Sequence, residues 1–320
     1  MNDALEIFRA LADPTRLRML ALLRAMELSI GELAQVLGQS QPRVSRHVKI
    51  LADAGIARRR KEGSWVFLSL GDAARMAPLL AAIDNWSGLE AGDDRAVADM
   101  ARLAAVRGER ARAAAEYFNA HAAEWDEMRS LHVAESQVEA AIRATLSAAP
   151  IGRLVDIGTG TGRMIELFGE TARSVIGIDR SPEMLRLARA KLARAGLERA
   201  ELRQGDFHAL PLPGACADTV IIHQVLHYAQ QPETAVAEAA RLLAHGGRLL
   251  VVDFGPHEKE ELRTRHAHAR LGFTDAQIAG WFAGAGLETM PPQPLAGGEL
   301  TVKLWLGQRP ALADMKDIAA

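Results

Sequence analysis

The stretch "RLVDIGTGTGRMIELF" at residues 153–168 runs from apolar, β-branched residues through three glycines into a helical pattern. The glycines, Gly158, Gly160 and Gly162, are spaced two residues apart. Without side chains they let a ligand approach the backbone, and a helix that begins there favours polar or anionic ligand groups. The stretch therefore predicts a strand, a glycine loop and a helix around a nucleotide-like ligand.

A glycine loop fits more than one cofactor, and the nearby acidic residues bear on the choice. Asp179 in "VIGIDRSPEML" could accept hydrogen bonds from both hydroxyls of a ribose. Dinucleotide enzymes also carry such an acid, but their third glycine comes one residue later. Asp156 precedes the glycines, and Asp206 and Phe207 in "LRQGDF" could contact the amino group and the ring of an adenine. These features favour an adenosyl ligand over a dinucleotide.

Short apolar runs alternate with amphipathic helical patterns after Pro150. This alternation predicts an α/β domain, in which a mostly parallel sheet is covered by helices on both faces. The stretches "GLETM" and "ELTVKLWLGQ" follow one another with only a Pro/Gly-rich connection between them. We therefore expect an antiparallel hairpin to close the sheet.

The segment "SIGELAQVLGQSQPRVSRHVKILADAGI" at 29–56 has the outline of a helix-turn-helix with a break at Gly38. The second helix, over 41–54, has apolar residues on one side and cationic residues on the other, so it could enter a major groove. The alternatives are a charged face that is only solvated and a helix-turn-helix that serves dimerisation. The candidate DNA contacts are Ser40, Gln41, Arg43, Ser45, Arg46 and Lys49.

A hairpin is expected in "IARRRKEGSWVFLSL" at 56–70, where a Glu-Gly-Ser turn separates two strand-like runs. The whole chain has a net charge of -2, so DNA binding requires a local basic patch. Residues 43–62 supply one, because they contain seven basic and two acidic side chains. Arg58, Arg60 and Lys61 on the hairpin suit contacts with phosphates or the minor groove.

The length of 320 residues suits about two domains. Residues 79–149 contain no proline and are rich in Ala, Arg and Glu, so we expect mainly helix there. We place a winged helix-turn-helix domain at 1–90, a helical linker with lead-in helices at 91–149, the α/β domain at 150–308 and a fraying tail at 309–320.

Residues 4–88, which include "LADPTRLRMLALL", resemble the winged-helix repressors of the ArsR/SmtB family. The resemblance implies a homodimer that binds double-stranded operator DNA, with an interface built from helices near 3–11 and 73–87. Many members of that family hold arsenite or soft metals with cysteines just before the helix-turn-helix. This chain has Glu-Leu-Ser-Ile-Gly at 27–31, so we expect no metal switch there and an effector that binds elsewhere.

With "ADTVIIHQVLHYAQQPETAVAEAARLLAHGGRLLVVDF", residues 150–308 resemble the class I S-adenosylmethionine-dependent methyltransferases of ubiquinone and menaquinone synthesis. The resemblance implies a Rossmann-like domain with a seven-stranded, mostly parallel sheet that binds S-adenosylmethionine or S-adenosylhomocysteine. The lead-in "AEYFNAHAAEWDEMR" at 115–129 resembles the segment that closes over the methionine end, although ordinary helix packing is an alternative. The implied cofactor contacts are Tyr117, Phe118, Trp125, Asp156, Gly158, Gly160, Gly162, Asp179, Met184, Asp206, Phe207 and His223.

His223, His227 and Tyr228 follow the fourth strand, near the position where this fold receives a methyl acceptor. They are candidates for a base and for substrate contacts, because transfer to a protonated acceptor needs a base close to the attacking atom. The alternative is a histidine that is only hydrogen-bonded at a strand end. His266 and His268 diverge on a helix, so we expect no metal site.

Two functions stay open at this point. One is a transcriptional regulator that senses S-adenosylmethionine or S-adenosylhomocysteine, and the other is an active small-molecule methyltransferase that also controls its own expression. NAD-dependent chemistry is a third, disfavoured by the glycine spacing. The single cysteine, the charged first ten residues and the lack of a long apolar run predict a cytoplasmic protein that does not enter the membrane.

Overall fold

The computed structural model describes residues 2–62, 65–87, 94–121, 134–297 and 300–311. The chain divides into two compact units, Met1–Ala113 and Ala114–Ala320. This division falls within a helix, so the first unit includes part of the segment that the sequence assigns to a linker. The domain boundaries at 90, 149 and 308 stay predictions. Gly63 and Ser64 of the expected hairpin turn, and the tail from 312 onward, lie outside the described residues.

The first unit contains the helix-turn-helix and the hairpin that the sequence predicts. Its elements are α1 (Asn2–Leu11), α2 (Pro14–Ala25), β1 (Leu28–Ser29), α3 (Ile30–Leu37), α4 (Gln41–Asp53), β2 (Ala57–Glu62), β3 (Trp65–Leu70), α5 (Ala73–Ser87) and α6 (Asp94–His121), the last of which crosses the division. The three strands form an antiparallel sheet in the order β1-β3-β2.

Local chemistry explains where α3 begins and ends. The Ser29 hydroxyl accepts a hydrogen bond from the Glu32 N–H, and the Glu32 carboxylate accepts one from the Ser29 N–H. This reciprocal pair satisfies two N–H groups that would otherwise lack a partner at the helix start. The helix ends at Gly38, whose φ of +63° lies in the left-handed region that glycine adopts without strain.

The recognition face of α4 is exposed because its opposite face forms part of the core. Val44, Val48 and Leu51 are at most 1% exposed and belong to the apolar cluster of the first unit. Their spacing places them on one side of the helix, as the sequence predicts. Leu103 and Val106 of α6 belong to the same cluster, so the first part of α6 packs on the DNA-binding fold.

The second unit is the α/β domain. Its elements after α6 are α7 (Glu135–Leu146), β4 (Arg153–Ile157), α8 (Arg163–Phe168), β5 (Ser174–Asp179), α9 (Pro182–Arg194), β6 (Glu201–Gln204), β7 (Ala217–His223), a 3-10 turn (Leu226–Tyr228), α10 (Pro232–Leu242), β8 (Leu243–Phe254), α11 (Glu260–His266), α12 (Asp275–Gly284), β9 (Glu288–Thr289), β10 (Gln293–Gly297) and β11 (Leu300–Gln308).

The sheet of the second unit has the order β10-β11-β8-β7-β4-β5-β6, and β9 also pairs with β11. The five strands from β8 to β6 are parallel, and β9, β10 and β11 are antiparallel. The Rossmann-like, mostly parallel sheet is therefore confirmed. β4 has β5 on one side and β7 on the other, so the strand order reverses at its carboxyl end, where ligands bind in folds of this kind.

The closing hairpin differs in one respect from the expectation. "GLETM" supplies only the two-residue β9, which pairs with the end of β11. The longer partner is β10, which lies in the stretch that the sequence indicates as a connection. Pro294 is tolerated in β10 because this strand lies at the edge of the sheet, where a missing N–H costs little.

Helices cover both faces of this sheet. One apolar cluster contains residues of α7 and α8, and the other contains residues of α10 and α12. Arg309 is fixed beyond β11, because its guanidinium donates to the carbonyls of Ala240 and Leu243. None of the described helices is long and apolar enough to span a membrane.

Candidate functional site

The glycine loop lies at the carboxyl end of β4 and is fixed to the neighbouring strand. The N–H groups of Gly158 and Thr159 donate to the Ile178 carbonyl at 2.7 and 2.9 Å. Gly158 has a φ of +70°, and a Cβ atom there would lie 2.5 to 2.8 Å from the side chain of Val225. Any larger residue would be strained and would collide with this neighbour. The loop therefore requires glycine at this position.

The other two glycines have different surroundings. The N–H of Gly160 donates to a carboxylate oxygen of Asp179 at 2.8 Å. Gly162 has a φ of +87°, and its missing Cβ faces Leu192 and Ala188 of α9. Gly162 therefore serves the packing of a helix against the loop, whereas Gly158 and Gly160 line the cleft beside it.

Asp179 is held by two backbone donors at the end of β5. One carboxylate oxygen accepts from the Gly160 N–H and the other from the Ser181 N–H, each at 2.8 Å. Burial raises the pKa of this carboxyl, and the N–H groups of Ser181 and Gly160 oppose that rise by favouring the charged form. Each oxygen retains a lone pair for a ligand, so the group can accept two hydroxyl donors in a fixed geometry.

Asp156 restrains the glycine loop through a hydrogen bond. Its side chain is buried and accepts a hydrogen bond from the Thr159 hydroxyl at 2.6 Å. A charge-assisted bond of this length restrains the loop in the conformation that leaves its glycines facing the cleft.

An open cleft joins these groups. Of the residues predicted from the sequence, the cleft is lined by Asp156, Gly158, Gly160, Asp179, Met184, Phe207, His223 and Tyr228. The sequence did not single out the lining residues Arg163, Met164, Ile178, Arg180, Gln224 and Val225, which adjoin the predicted residues along the chain.

Five predicted cofactor contacts are not among the residues that line the cleft, namely Gly162, described above, and the four that follow. The Asp206 carboxylate accepts a hydrogen bond from the His208 N–H at 2.9 Å, and this residue is not among those that line the cleft. Tyr117 and Phe118 lie in α6, with side chains outside the described residues. Trp125 lies outside the described residues altogether. These four contacts stay predictions.

The recognition helix presents the side chains that the sequence predicts. Gln41, Arg43, Arg46 and Lys49 are exposed on α4, and Ser45 is half-buried. Ser40 is exposed at the start of the helix and makes no side-chain capping bond. This face therefore offers cations for phosphates and amide or hydroxyl groups for base edges.

One basic residue of the hairpin, Arg60, makes contacts within the first unit. Arg60 donates to both carboxylate oxygens of Glu27 at 3.1 and 3.2 Å, and its guanidinium lies 5.4 Å from the centre of the Phe67 ring. Arg58 forms an exposed ion pair with Asp72 at 3.3 Å. Lys61 is exposed, and so is Arg59, which was not among the predicted DNA contacts. A phosphate would have to compete with Glu27 for Arg60.

Comparison with known proteins identifies both units. Residues 13–59 match the model of the bacterial regulatory proteins of the arsR family, and residues 155–251 match that of a methyltransferase domain family. Over 156 residues the chain is 34% identical to the phosphatidylethanolamine N-methyltransferase of Cereibacter sphaeroides. This alignment covers 47% of this chain and 76% of that enzyme. The chain belongs to the class I methyltransferases. It carries an ArsR-family helix-turn-helix in the same polypeptide.

Two further relatives each match one unit. The demethylmenaquinone methyltransferase of Thermus thermophilus is 38% identical over 121 residues, which are 37% of this chain and 54% of that enzyme. The arsenical resistance operon repressor of Escherichia coli is 42% identical over 67 residues, which are 21% of this chain and 57% of the repressor. The chain thus spans about half the length of these two relatives.

Within the first unit, α6 is fastened to the end of α3. Arg18 forms two short bonds with Asp99 of α6, at 2.6 and 2.7 Å, and also donates to the Leu37 carbonyl. Arg102 of α6 donates to Asp99 and to the Val36 carbonyl, each at 3.2 Å. The last carbonyls of α3, just before the turn into the recognition helix, thus receive their hydrogen bonds from arginines.

Of the three residues predicted to contact the methyl acceptor or act as a base, two line the cleft and one does not. His223 and Tyr228 line the cleft, but His227 does not. The His227 Nδ1 atom lies 2.7 Å from a carboxylate oxygen of Asp253, and its ring packs 4.1 Å from the Tyr228 ring. The sequence analysis missed Asp253, although an acid within the apolar run "LLVVDF" is itself a signal. Among the described residues, no group of three ligating side chains is arranged to hold a metal ion.

Proposed function

We propose that this protein is a DNA-binding transcriptional regulator whose methyltransferase domain binds S-adenosylmethionine or S-adenosylhomocysteine as its effector. One observation carries the proposal, namely that a single chain has both an exposed basic recognition helix and a preformed cofactor cleft. The two surfaces belong to different compact units, so a regulatory link between them is the simplest reason for joining them.

The residues of the cleft fit an adenosyl ligand. Asp179 would hold the ribose hydroxyls, and the backbone of Gly158 and Gly160 would lie against the ligand. Met184 and Phe207 offer an apolar surface for the adenine, and His223 and Tyr228 line the cleft near the expected amino-acid end. When bound, S-adenosylmethionine supplies a methyl group on a positively charged sulfur.

An effector in this cleft is favoured by the chemistry of the first unit. Glu27 takes part in an ion pair with Arg60 and begins the segment 27–31, just before the helix-turn-helix, where many ArsR-family members carry soft-metal cysteines. The chain has one cysteine, Cys216, and it lies in the methyltransferase domain. A soft-metal switch needs thiolates, so the regulatory ligand must bind elsewhere in the chain.

The contacts of α6 suggest how a signal would reach the DNA-binding surface. The Arg18–Asp99 and Arg102–Val36 bonds fix the first part of α6 to the carboxyl end of α3. A shift of α6 would strain the turn that begins at Gly38 and thereby the placement of α4. An effector can change operator affinity only through such a difference between two states.

An active methyltransferase is the second candidate function. It is favoured by the buried His227–Asp253 pair beside the cleft, which resembles a base held by a carboxylate. Such an enzyme would use the same cofactor contacts and could still regulate its own expression. Incubation with methyl-labelled S-adenosylmethionine and extracts of small molecules would reveal labelled products if the domain is catalytic.

A homodimer is part of the proposal. On α1, Leu5 and Phe8 are 49% and 56% exposed, and apolar side chains exposed on this helix would be covered in the interface that ArsR-family proteins form. Two symmetric recognition helices would bind an inverted repeat whose half-sites lie about one helical turn apart. We also propose a cytoplasmic location, because operator binding requires access to the chromosome.

The central test measures the link between the two ligands. An operator selected from random duplexes is titrated with the dimer alone, with S-adenosylmethionine and with S-adenosylhomocysteine. We expect at least one ligand to change operator affinity by roughly 5- to 150-fold, and the two ligands to differ. Reciprocity requires the operator to change ligand affinity by the same factor. If all curves superimpose, the regulator proposal fails and the active methyltransferase becomes the better account.

Substitutions on α4 should separate general DNA affinity from sequence preference. Arg46→Ala is expected to weaken binding to all duplexes and to reduce the salt dependence by about one counterion, because it removes a phosphate contact. Gln41→Ala should instead reduce the preference for the operator over a random duplex, because it removes a contact to a base edge. Fluorescence anisotropy at several salt concentrations measures both effects. A wild type that binds operator and random duplex equally would contradict the proposal.

Ligand affinity should depend on pH through Asp179. Since burial raises the pKa of this carboxyl, it takes up a proton at a higher pH than an ordinary aspartate, whose pKa is about 3.9. The protonated form is a poorer acceptor for two ribose hydroxyls, so affinity should fall as the pH decreases through the raised pKa. Calorimetry from pH about 8 down to the acid limit of the folded protein should show this loss together with the release of a proton on binding. An affinity that stays constant while Asp179 takes up a proton would contradict the assigned role.

A further inference from the structure

The buried carboxylate of Asp253 has a specific set of partners. Its side chain is fully buried at the end of β8. One oxygen accepts from the Phe254 N–H and lies 2.7 Å from His227 Nδ1, and the other accepts from the His227 N–H at 3.1 Å. Within the described part of the chain, no lysine or arginine forms an ion pair with Asp253. In that part of the chain, the ion-pair partner of the carboxylate is His227.

The imidazole of His227 is the side-chain partner of this carboxylate, and its Nδ1 atom faces the Asp253 oxygen. The ring is buried, and its centroid lies 4.1 Å from that of Tyr228 and 4.0 Å from that of His268. One guanidinium nitrogen of the buried Arg270 donates to the Gln230 carbonyl at 2.6 Å. The negative charge of this cluster comes from the Asp253 carboxylate.

This pair lies directly behind one wall of the cofactor cleft. His223 is the register partner of Val252, and the Gln224 N–H donates to the Val252 carbonyl at 2.7 Å. His223, Gln224 and Tyr228 line the cleft, and Asp253 is the residue that follows Val252. β8 is three strands away from β5, which carries Asp179, or about 14 Å at the usual strand spacing. The charge thus lies across the strand ends from the expected ribose site.

We propose that the Asp253–His227 pair determines which adenosyl ligand the cleft prefers, by attracting the positive sulfur of S-adenosylmethionine over the neutral sulfur of S-adenosylhomocysteine. The inference rests on the proposed effector site. The two ligands differ by one methyl group and one positive charge, so a nearby negative charge is a direct way to distinguish them. A single charge in a protein interior changes the affinity ratio by about 3- to 10-fold. Asp253 is then a specificity-determining residue.

Calorimetry of the full chain with both ligands tests this proposal, at pH about 8.5, where a free imidazole is neutral. Asp253→Asn keeps the shape of the side chain and removes its charge. It should weaken S-adenosylmethionine binding by about 3- to 10-fold relative to S-adenosylhomocysteine. Asp275→Asn is the matched control, because it removes a charge of the same unit that is already balanced by Lys303 at 2.9 Å. It should leave the affinity ratio unchanged.

A second measurement uses the wild type and does not depend on how the variant folds. An S-adenosylhomocysteine analogue that carries a protonated aliphatic amine in place of the sulfur should bind more tightly than S-adenosylhomocysteine itself. Equal losses for both ligands in Asp253→Asn, an unchanged ratio, or no preference for the cationic analogue would each overturn the proposal. If the wild type binds neither adenosyl ligand, the proposed function fails as well, which is a distinct result.

Discussion

Asp179→Ala is expected to weaken the binding of S-adenosylmethionine and S-adenosylhomocysteine by about 2 to 4 kcal/mol, or roughly 30- to 900-fold. The substitution removes a charged acceptor for two hydroxyls in a largely desolvated position. It also frees the N–H groups of Gly160 and Ser181, so the glycine loop loses the bonds that fix it to the end of β5. The loss is measured by calorimetry with each ligand.

Glu183→Ala is the matched control for Asp179→Ala. Glu183 lies in the first turn of the next helix, pairs with Arg186 on the surface and is not among the cleft residues. Its removal should leave both affinities unchanged. The opposite pattern, or binding of NADH with no binding of either adenosyl ligand, would show that the cleft holds another cofactor.

Asp99→Ala is expected to lower the free energy of unfolding of the DNA-binding unit by about 2 to 4 kcal/mol. The Asp99 side chain is 4% exposed and that of Arg18 is 18% exposed, so the substitution leaves a poorly hydrated guanidinium without its carboxylate. Arg102 loses the same partner. Urea denaturation followed by hydrogen exchange of peptides from α2 and α3 measures the change for this unit alone.

The same variant tests the role of α6 in regulation. If the effector acts through α6, a partly detached helix should reduce the effect of the ligand on operator affinity, while ligand affinity at the cleft of the second unit is retained. Asp84→Ala removes a bidentate partner of Arg24 that is exposed to solvent, so it should change neither stability nor regulation. A stable Asp99→Ala unit with full regulation would show that the pair is dispensable.

Much of the fold and of the cofactor site is predictable because local chemistry determines it. Gly158 must be glycine for its own backbone conformation and its contact with Val225, and Asp179 follows a strand whose end faces the same cleft. The apolar spacing in α4 similarly determines which face is buried. In each case a short stretch of sequence carries the requirement.

The remaining features depend on contacts between residues that are far apart in the sequence. Asp253 meets His227 across 26 positions, Arg60 meets Glu27 across 33, and Arg18 meets Asp99 across 81. A sequence pattern does not reveal contacts of this kind. Arg60 was therefore predicted to contact DNA, although in the structure its guanidinium donates to Glu27. β10 was missed for a related reason, because its proline and glycine indicate a turn unless its position at a sheet edge is known.

The Glu27–Arg60 pair has a consequence for how the hairpin behaves in solution. One guanidinium nitrogen of Arg60 donates to both carboxylate oxygens of Glu27 and so tethers β2 to the residue just before β1, without any bound metal. Amide protons of β2 and β3 should therefore exchange slowly in the free protein, and arsenite or zinc should leave their protection unchanged. Raising the ionic strength should accelerate exchange there, because mobile ions screen a half-exposed pair. We therefore expect the hairpin of β2 and β3 to be ordered by its own side chains and to respond to salt rather than to soft metals.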